Sequence, residues 1–154
     1  MAEVNPQNAT ARIVVHEIGH AVAALTAARA HNRAIAILSA TGAVRSAGAG
    51  WWRELVAQAG DSVPGQGVEW ILDCGDEPGM ALAALREGVA TIALDADEPI
   101  WSRVAQIAAR SDASLLRVDR DGALDLAGSN NPQRDCNLYL SNGPDGVAKP
   151  SVLG

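Results

Sequence analysis

Short apolar runs that end in aspartate, each followed by a carboxylate–proline step and an alanine-rich stretch, constrain this chain more than any other feature. Val68-Glu69-Trp70-Ile71-Leu72-Asp73 has the pattern of a buried strand and is closed by Cys74-Gly75-Asp76-Glu77-Pro78-Gly79. Residues 80–87 follow with strong helix formers and stop at Gly88. Residues 89–94 form a second apolar run ending at Asp95, and Asp97-Glu98-Pro99 introduces a helix over 100–110. Carboxylates ahead of proline suit a helix start on two grounds. They meet the positive end of the helix dipole, and proline gives up no hydrogen bond at the first helical position. The likeness of these two units fits the shared chemistry of strand-to-helix turns as well as it fits duplication. The same beat runs on into a strand at 114–118. Upstream it holds a strand at 34–38 and a glycine-rich loop over 39–50 that feeds a helix at 51–59. Strands alternating with helices of about 10–15 residues imply parallel pairing through right-handed crossovers.

The expected architecture is therefore one α/β domain over residues 1–127, with about five mostly parallel strands, flavodoxin-like or Rossmann-like. A half-barrel that completes itself as a homodimer is the alternative, because 154 residues fall short of the roughly 200 or more that a closed eight-unit barrel needs. Beyond Gly122 the pattern fades. Gly128-Ser129-Asn130-Asn131-Pro132 and Asn142-Gly143-Pro144-Asp145-Gly146 have turn or linker composition, so residues 128–154 are expected to form a loosely attached tail.

Aromatic residues are only 3% of the chain, so the core must rest on Ala, Val, Ile and Leu. A net charge of −6 repels phosphate backbones and argues against a nucleic-acid partner. The first residues lack the basic and apolar regions of a signal peptide, and no apolar run approaches the roughly 20 residues that span a bilayer. A cytoplasmic location without membrane contact is the resulting expectation. Cys74 and Cys136 make neither a metal spacing nor a disulfide framework.

His16-Glu17-Ile18-Gly19-His20 spells H-E-x-x-H. On one continuous helix, His16 and His20 would face a single zinc ion and Glu17 would activate its bound water, as in a metallohydrolase or protease. The pentapeptide and its apolar flanks resemble the active-site helix of the zincins over about ten residues. Three features oppose that geometry. Arg12-Ile13-Val14-Val15-His16 contains a β-branched run that favours a strand, and a strand followed by a helix joins the beat seen downstream. The extended zincin pattern would place Gly at Ala23 and His at Thr26, and neither is present. A parallel α/β sheet is also not the zincin scaffold. The expectation is a strand over 13–15, a helix beginning between Glu17 and His20, and no metal cofactor, with zinc on His16 and His20 as the alternative.

A broader resemblance covers residues 12–127. Leu38-Ser39-Ala40-Thr41-Gly42-Ala43, Gly50-Trp51-Trp52, Ile71-Leu72-Asp73-Cys74-Gly75-Asp76, residues 81–88 and Ala123-Leu124-Asp125-Leu126 resemble a group of uncharacterised bacterial α/β proteins. The likeness implies the fold, with residues 12–31 as a strand running into a helix, and it implies no activity. The size and the position of Asp73 also resemble a response-regulator receiver. His16-Glu17 stands where that family carries an acidic pair, and Asp95 and Asp119 stand where it carries Ser/Thr and Lys, so a working phosphorylation site is not expected.

In an open parallel sheet, ligands bind outside the carboxyl ends of the strands. That rule gathers His16, Ser39, Thr41, Asp73, Cys74, Asp76 and Asp95 as candidate ligand-binding residues for a small polar metabolite, with Asp119 on the same edge, and the expected function is small-molecule binding or protein interaction. Aspartates there also cap the next helix, and a lone cysteine is more often a small apolar packing residue than a nucleophile. The loop at 42–50 lacks the Lys-Ser/Thr of a P-loop, and Arg53 stands where a G-x-G-x-x-G needs its third glycine. Trp51 and Trp52 read as packing or interface residues. A histidine set beside carboxylates is expected to have a raised pKa. The alternative catalytic residue is Glu17.

Overall fold

The computed structural model describes residues 10–64 and 67–142. The elements run β1 (Ala11–Val15), α1 (Ile18–His31), β2 (Ile35–Ser39), α2 (Ala43–Ser62), β3 (Val68–Asp73) and α3 (Pro78–Arg86), then β4 (Thr91–Ala93), α4 (Ile100–Arg110), β5 (Ser114–Leu116), β6 (Leu124–Asp125) and α5 (Pro132–Ser141). The strands form one parallel sheet in the order β5-β4-β3-β2-β1-β6. This is the alternating α/β fold expected, and the sheet does not call for the half-barrel. A sixth strand joins the five expected. It has two residues, too few to display any hydrophobic period.

Contacts divide the described residues into two units, one of residues 10–37, 58–64, 67–69 and 120–142, the other of 38–57 and 70–119. In the first, the β-branched run of β1 is buried at Ile13, Val14 and Val15. It pairs with β6, Ile13 opposite Leu124 and Val14 opposite Asp125, and the Leu126 N–H continues the ladder to the Val14 carbonyl at 3.1 Å. Small side chains dominate α1, whose buried face includes Ala21, Ala24, Leu25 and Ala28. Asn32 ends it in the left-handed region (φ 53°), its N–H reaching the Ala28 and Arg29 carbonyls, a conformation asparagine tolerates better than most residues.

The tail expected from Gly128 onward is instead structured as far as Asn142. Asn131-Pro132 is a helix start rather than a linker: the Asn131 side chain accepts the Arg134 N–H at 3.0 Å, and proline takes the first helical position. The resulting α5 packs on α1 with Cys136 and Leu140 buried. Arg33 donates to the Leu140 carbonyl at 2.6 Å. The Tyr139 hydroxyl accepts the Arg12 N–H at 3.2 Å and donates to the Gly122 carbonyl at 2.9 Å. Residues 143–154 of the expected tail lie outside the described residues.

In the second unit, β3, β4 and β5 are in parallel register, with Leu72 opposite Ile92 and Ala93 opposite Leu116. Much of the glycine-rich segment expected as loop is helical. Its alanines carry α2 from Ala43, and only Gly48 breaks the helix, at φ 84° and ψ 161°, a conformation that favours glycine. Trp52 is buried and meets Trp70 of β3 edge-on, ring centroids 6.1 Å apart. On α4, which packs on α3, Val104 and Ala108 are buried. The Glu98 carboxylate accepts both the backbone N–H and the hydroxyl of Ser102 at 3.2 and 2.9 Å.

Leu72 and Leu94 are 0% and 1% exposed. Leu94 lies one residue past β4, and its N–H extends the ladder to the Leu116 carbonyl. Leu72→Ala and Leu94→Ala should each lower stability by about 2–5 kcal/mol, through lost transfer energy and the cavity left behind. Denaturant unfolding of the two variants checks this, and midpoints equal to wild type would show the strands to be misplaced.

Candidate functional site

The H-E-x-x-H residues straddle the end of β1 and the start of α1. His16 follows the strand, Glu17 is the N-cap residue with extended backbone, and His20 is the third residue of the helix. The two histidines therefore do not share a helical face, and their rings stand edge to face with centroids 5.8 Å apart. No side chain caps α1 from the Glu17 position. Instead His20 reaches back and accepts the His16 N–H on Nδ1 at 3.1 Å, as the third helical residue of a capping box does, one residue further out. With Nδ1 an acceptor, the neutral ring carries its proton on Nε2, which faces the Glu17 carboxylate at 3.4 Å.

The His16 ring turns to β6. Its Nε2 bonds Asp125 Oδ1 at 2.7 Å, and the same oxygen accepts the Ala127 N–H at 2.9 Å. Asp125 was missing from the residues expected at this edge. Leu124-Asp125 repeats the ending of Leu72-Asp73 and Leu94-Asp95, and that was the available signal. Burial pushes the Asp125 carboxyl up. The Ala127 N–H, the bond and charge of His16 and the Arg120 charge together outweigh it and hold the group below its ordinary value. Among the described residues nothing bonds Nδ1 of His16 or Oδ2 of Asp125. Both side chains keep solvent access, 32% and 57% exposed.

His20 has a pKa below its ordinary value. Burial, the largest influence, lowers it, and His16 adds to the effect against the opposing pull of Glu17 and Asp125. A group whose folded pKa is lowered favours folding above its unfolded value. This part of the stability is present above pH 6.5 and declines as the pH falls below that, because the unfolded chain binds the proton more readily.

The other unit brings Ser39, Thr41, Asp73 and Cys74 together as expected, but their polar atoms are spent on one another. The buried Ser39 hydroxyl accepts the Asp73 N–H at 2.9 Å. The Asp73 carboxylate takes the Thr41 hydroxyl at 3.1 Å and the Gly75 N–H at 2.8 Å. Gly75 has φ +60°, and a Cβ there would meet the Thr41 methyl at 3.2 Å, so two constraints favour glycine. Asp73 is thus a buried turn anchor, 7% exposed, and not an open phosphoacceptor. Burial, helped by Asp73, pushes the Cys74 thiol to about 12, so it stays protonated at neutral pH and packs rather than reacts.

Asp76 and Asp95 are exposed. Asp95 donates its N–H to the Gly75 carbonyl at 2.8 Å and faces Arg117 at 3.6 Å. Arg117 lies over the Trp101 ring, while the indole N–H bonds the Leu94 carbonyl at 2.9 Å. Glu77, at the α3 N-cap, pairs with Arg45. Among the described residues, no three His, Cys, Asp or Glu side chains converge as a metal-binding group, and no helix is long and apolar enough to cross a membrane. Neither the protein-family models nor the curated proteins contain a match to this chain.

Burial also raises the Cys136 thiol to about 12, with Asp135 adding to the effect. Neither cysteine should therefore react with a disulfide reagent such as Ellman's near pH 8 in the folded protein, and both should react in denaturant. Rapid labelling of native protein at either position would contradict the packing described.

Proposed function

We propose that this chain is a binding domain for a small polar molecule, held at the carboxyl ends of β1 and β6. The observation that carries this reading is the His16–Asp125 pair. Asp125 fixes one edge of the imidazole, and the pair still presents two uncommitted acceptors, Nδ1 of His16 and Oδ2 of Asp125. Buried polar atoms elsewhere at the strand ends are bonded within the protein, as around Asp73, whereas these atoms are bonded on one side only. Glu17, the next residue in sequence after His16, is 67% exposed with its carboxylate toward His20. The two acceptors of the pair favour a neutral or cationic ligand that carries hydroxyl or amino donors, and they disfavour a phosphorylated one. The location agrees with the rule that parallel sheets bind ligands at their carboxyl edge.

Amide and imidazole shifts should be followed against a panel of polyols, amines, nucleosides and divalent cations. A ligand should move His16, Glu17, Asp125 and Ala127, and His16→Ala or Asp125→Ala should weaken it by roughly tenfold or more, as the loss of a charge-assisted bond does. Shifts confined to α5 or to the Trp101–Arg117 region, or no shifts at all, would reject this site. Stoichiometric zinc surviving dialysis would move the reading to the metallohydrolase alternative, with Glu17 as its base.

A further inference from the structure

We infer that His20 is the positioning residue of the His16 site and that a proton on its Nδ1 releases that site; the inference concerns regulation of the binding reading above and rests on it. The fold uses both ring nitrogens of neutral His20. Nδ1 accepts the His16 N–H at 3.1 Å, and Nε2 faces Glu17 at 3.4 Å. His16 is the first residue beyond β1, and its side chain spans to Asp125 at the end of β6. The His20 bond therefore fixes the backbone from which the ligand-facing imidazole hangs.

A proton on Nδ1 sets two donors 3.1 Å apart, so the His16 N–H loses its acceptor while the cationic ring is drawn to Glu17. His20 stays in the helix, and the strand end loses its tether. The charges acting on His20 are Glu17 before α1, His16 after β1 and Asp125 at the end of β6. Among the described residues, no titratable group of α5, which packs on α1, is one of them. His20 is 7% exposed, and burial keeps its pKa below the ordinary value, so the release belongs below pH 6.5. Protonating His16 itself would only strengthen its pair with Asp125, so loosening on acidification singles out His20.

Amide exchange on the full chain tests this, with protection at His16 corrected for the intrinsic pH dependence of exchange. Wild-type protection should fall roughly five- to tenfold between about pH 7.5 and about pH 5, the scale of one lost hydrogen bond. His20→Asn carries an acceptor oxygen at the Nδ1 position and takes no proton, so it should stay protected at both pH values. His20→Gln places its amide at the Nε2 position and should be unprotected at both. Unchanged wild-type protection across the range, or His20→Gln as protected as His20→Asn, would overturn the inference. Nitrogen shifts of the wild-type imidazole give a second reading that needs no variant: a neutral ring protonated on Nδ1 would also overturn it. These readouts need no ligand, so their failure is separate from failure of the binding reading.

Discussion

The carboxyl edge of this fold depends on how a parallel strand ends. A strand that turns toward its helix leaves backbone donors with no ladder partner, and an aspartate side chain can take one two residues on. Asp73 does this for Gly75 and Asp125 does it for Ala127. The same device has two outcomes. At Asp73 the second carboxylate oxygen is claimed by Thr41, the turn is buried, and the group serves the fold. At Asp125 the anchoring oxygen is shared with an imidazole and the other faces outward, so one local solution to a backbone problem becomes a surface with spare valence.

Much of the architecture was legible because the chain punctuates its elements with local chemistry. The helix at Ile100–Arg110 matches the span expected from its carboxylate–proline start and its periodicity. The β-branched run before His16 gave the strand, and the alanines after it gave the helix. Where the reading failed, a local signal had two meanings. Asn131-Pro132 serves a linker and a helix cap equally well, and burial of Cys136 and Leu140 against α1 chose between them. Alanine and glycine at 43–50 propose helix and loop together, and a single break at Gly48 accommodated both.

The candidate site was half legible, for a similar reason. H-E-x-x-H is a statement about spacing, and spacing becomes geometry only once the backbone is known. With the helix starting at Ile18, the four-residue interval bridges a strand end and a helix turn, and the second histidine becomes a capping group for the first. Asp125 needed the pairing of β6 on β1, a contact between residues 109 positions apart in sequence. The pKa direction at His20 also needed the fold, because carboxylate neighbours and burial act in opposition and only the packed structure decides which is larger.

The scarcity of aromatic side chains leaves an uneven optical record of this molecule. All four tryptophans, at 51, 52, 70 and 101, fall in the unit that holds β4 and β5, while the single tyrosine, Tyr139, falls in the unit that holds His16. Intrinsic tryptophan emission therefore originates in one unit alone. A melting curve followed by emission would weight that one unit, whereas one followed by helix content would average over helices of both.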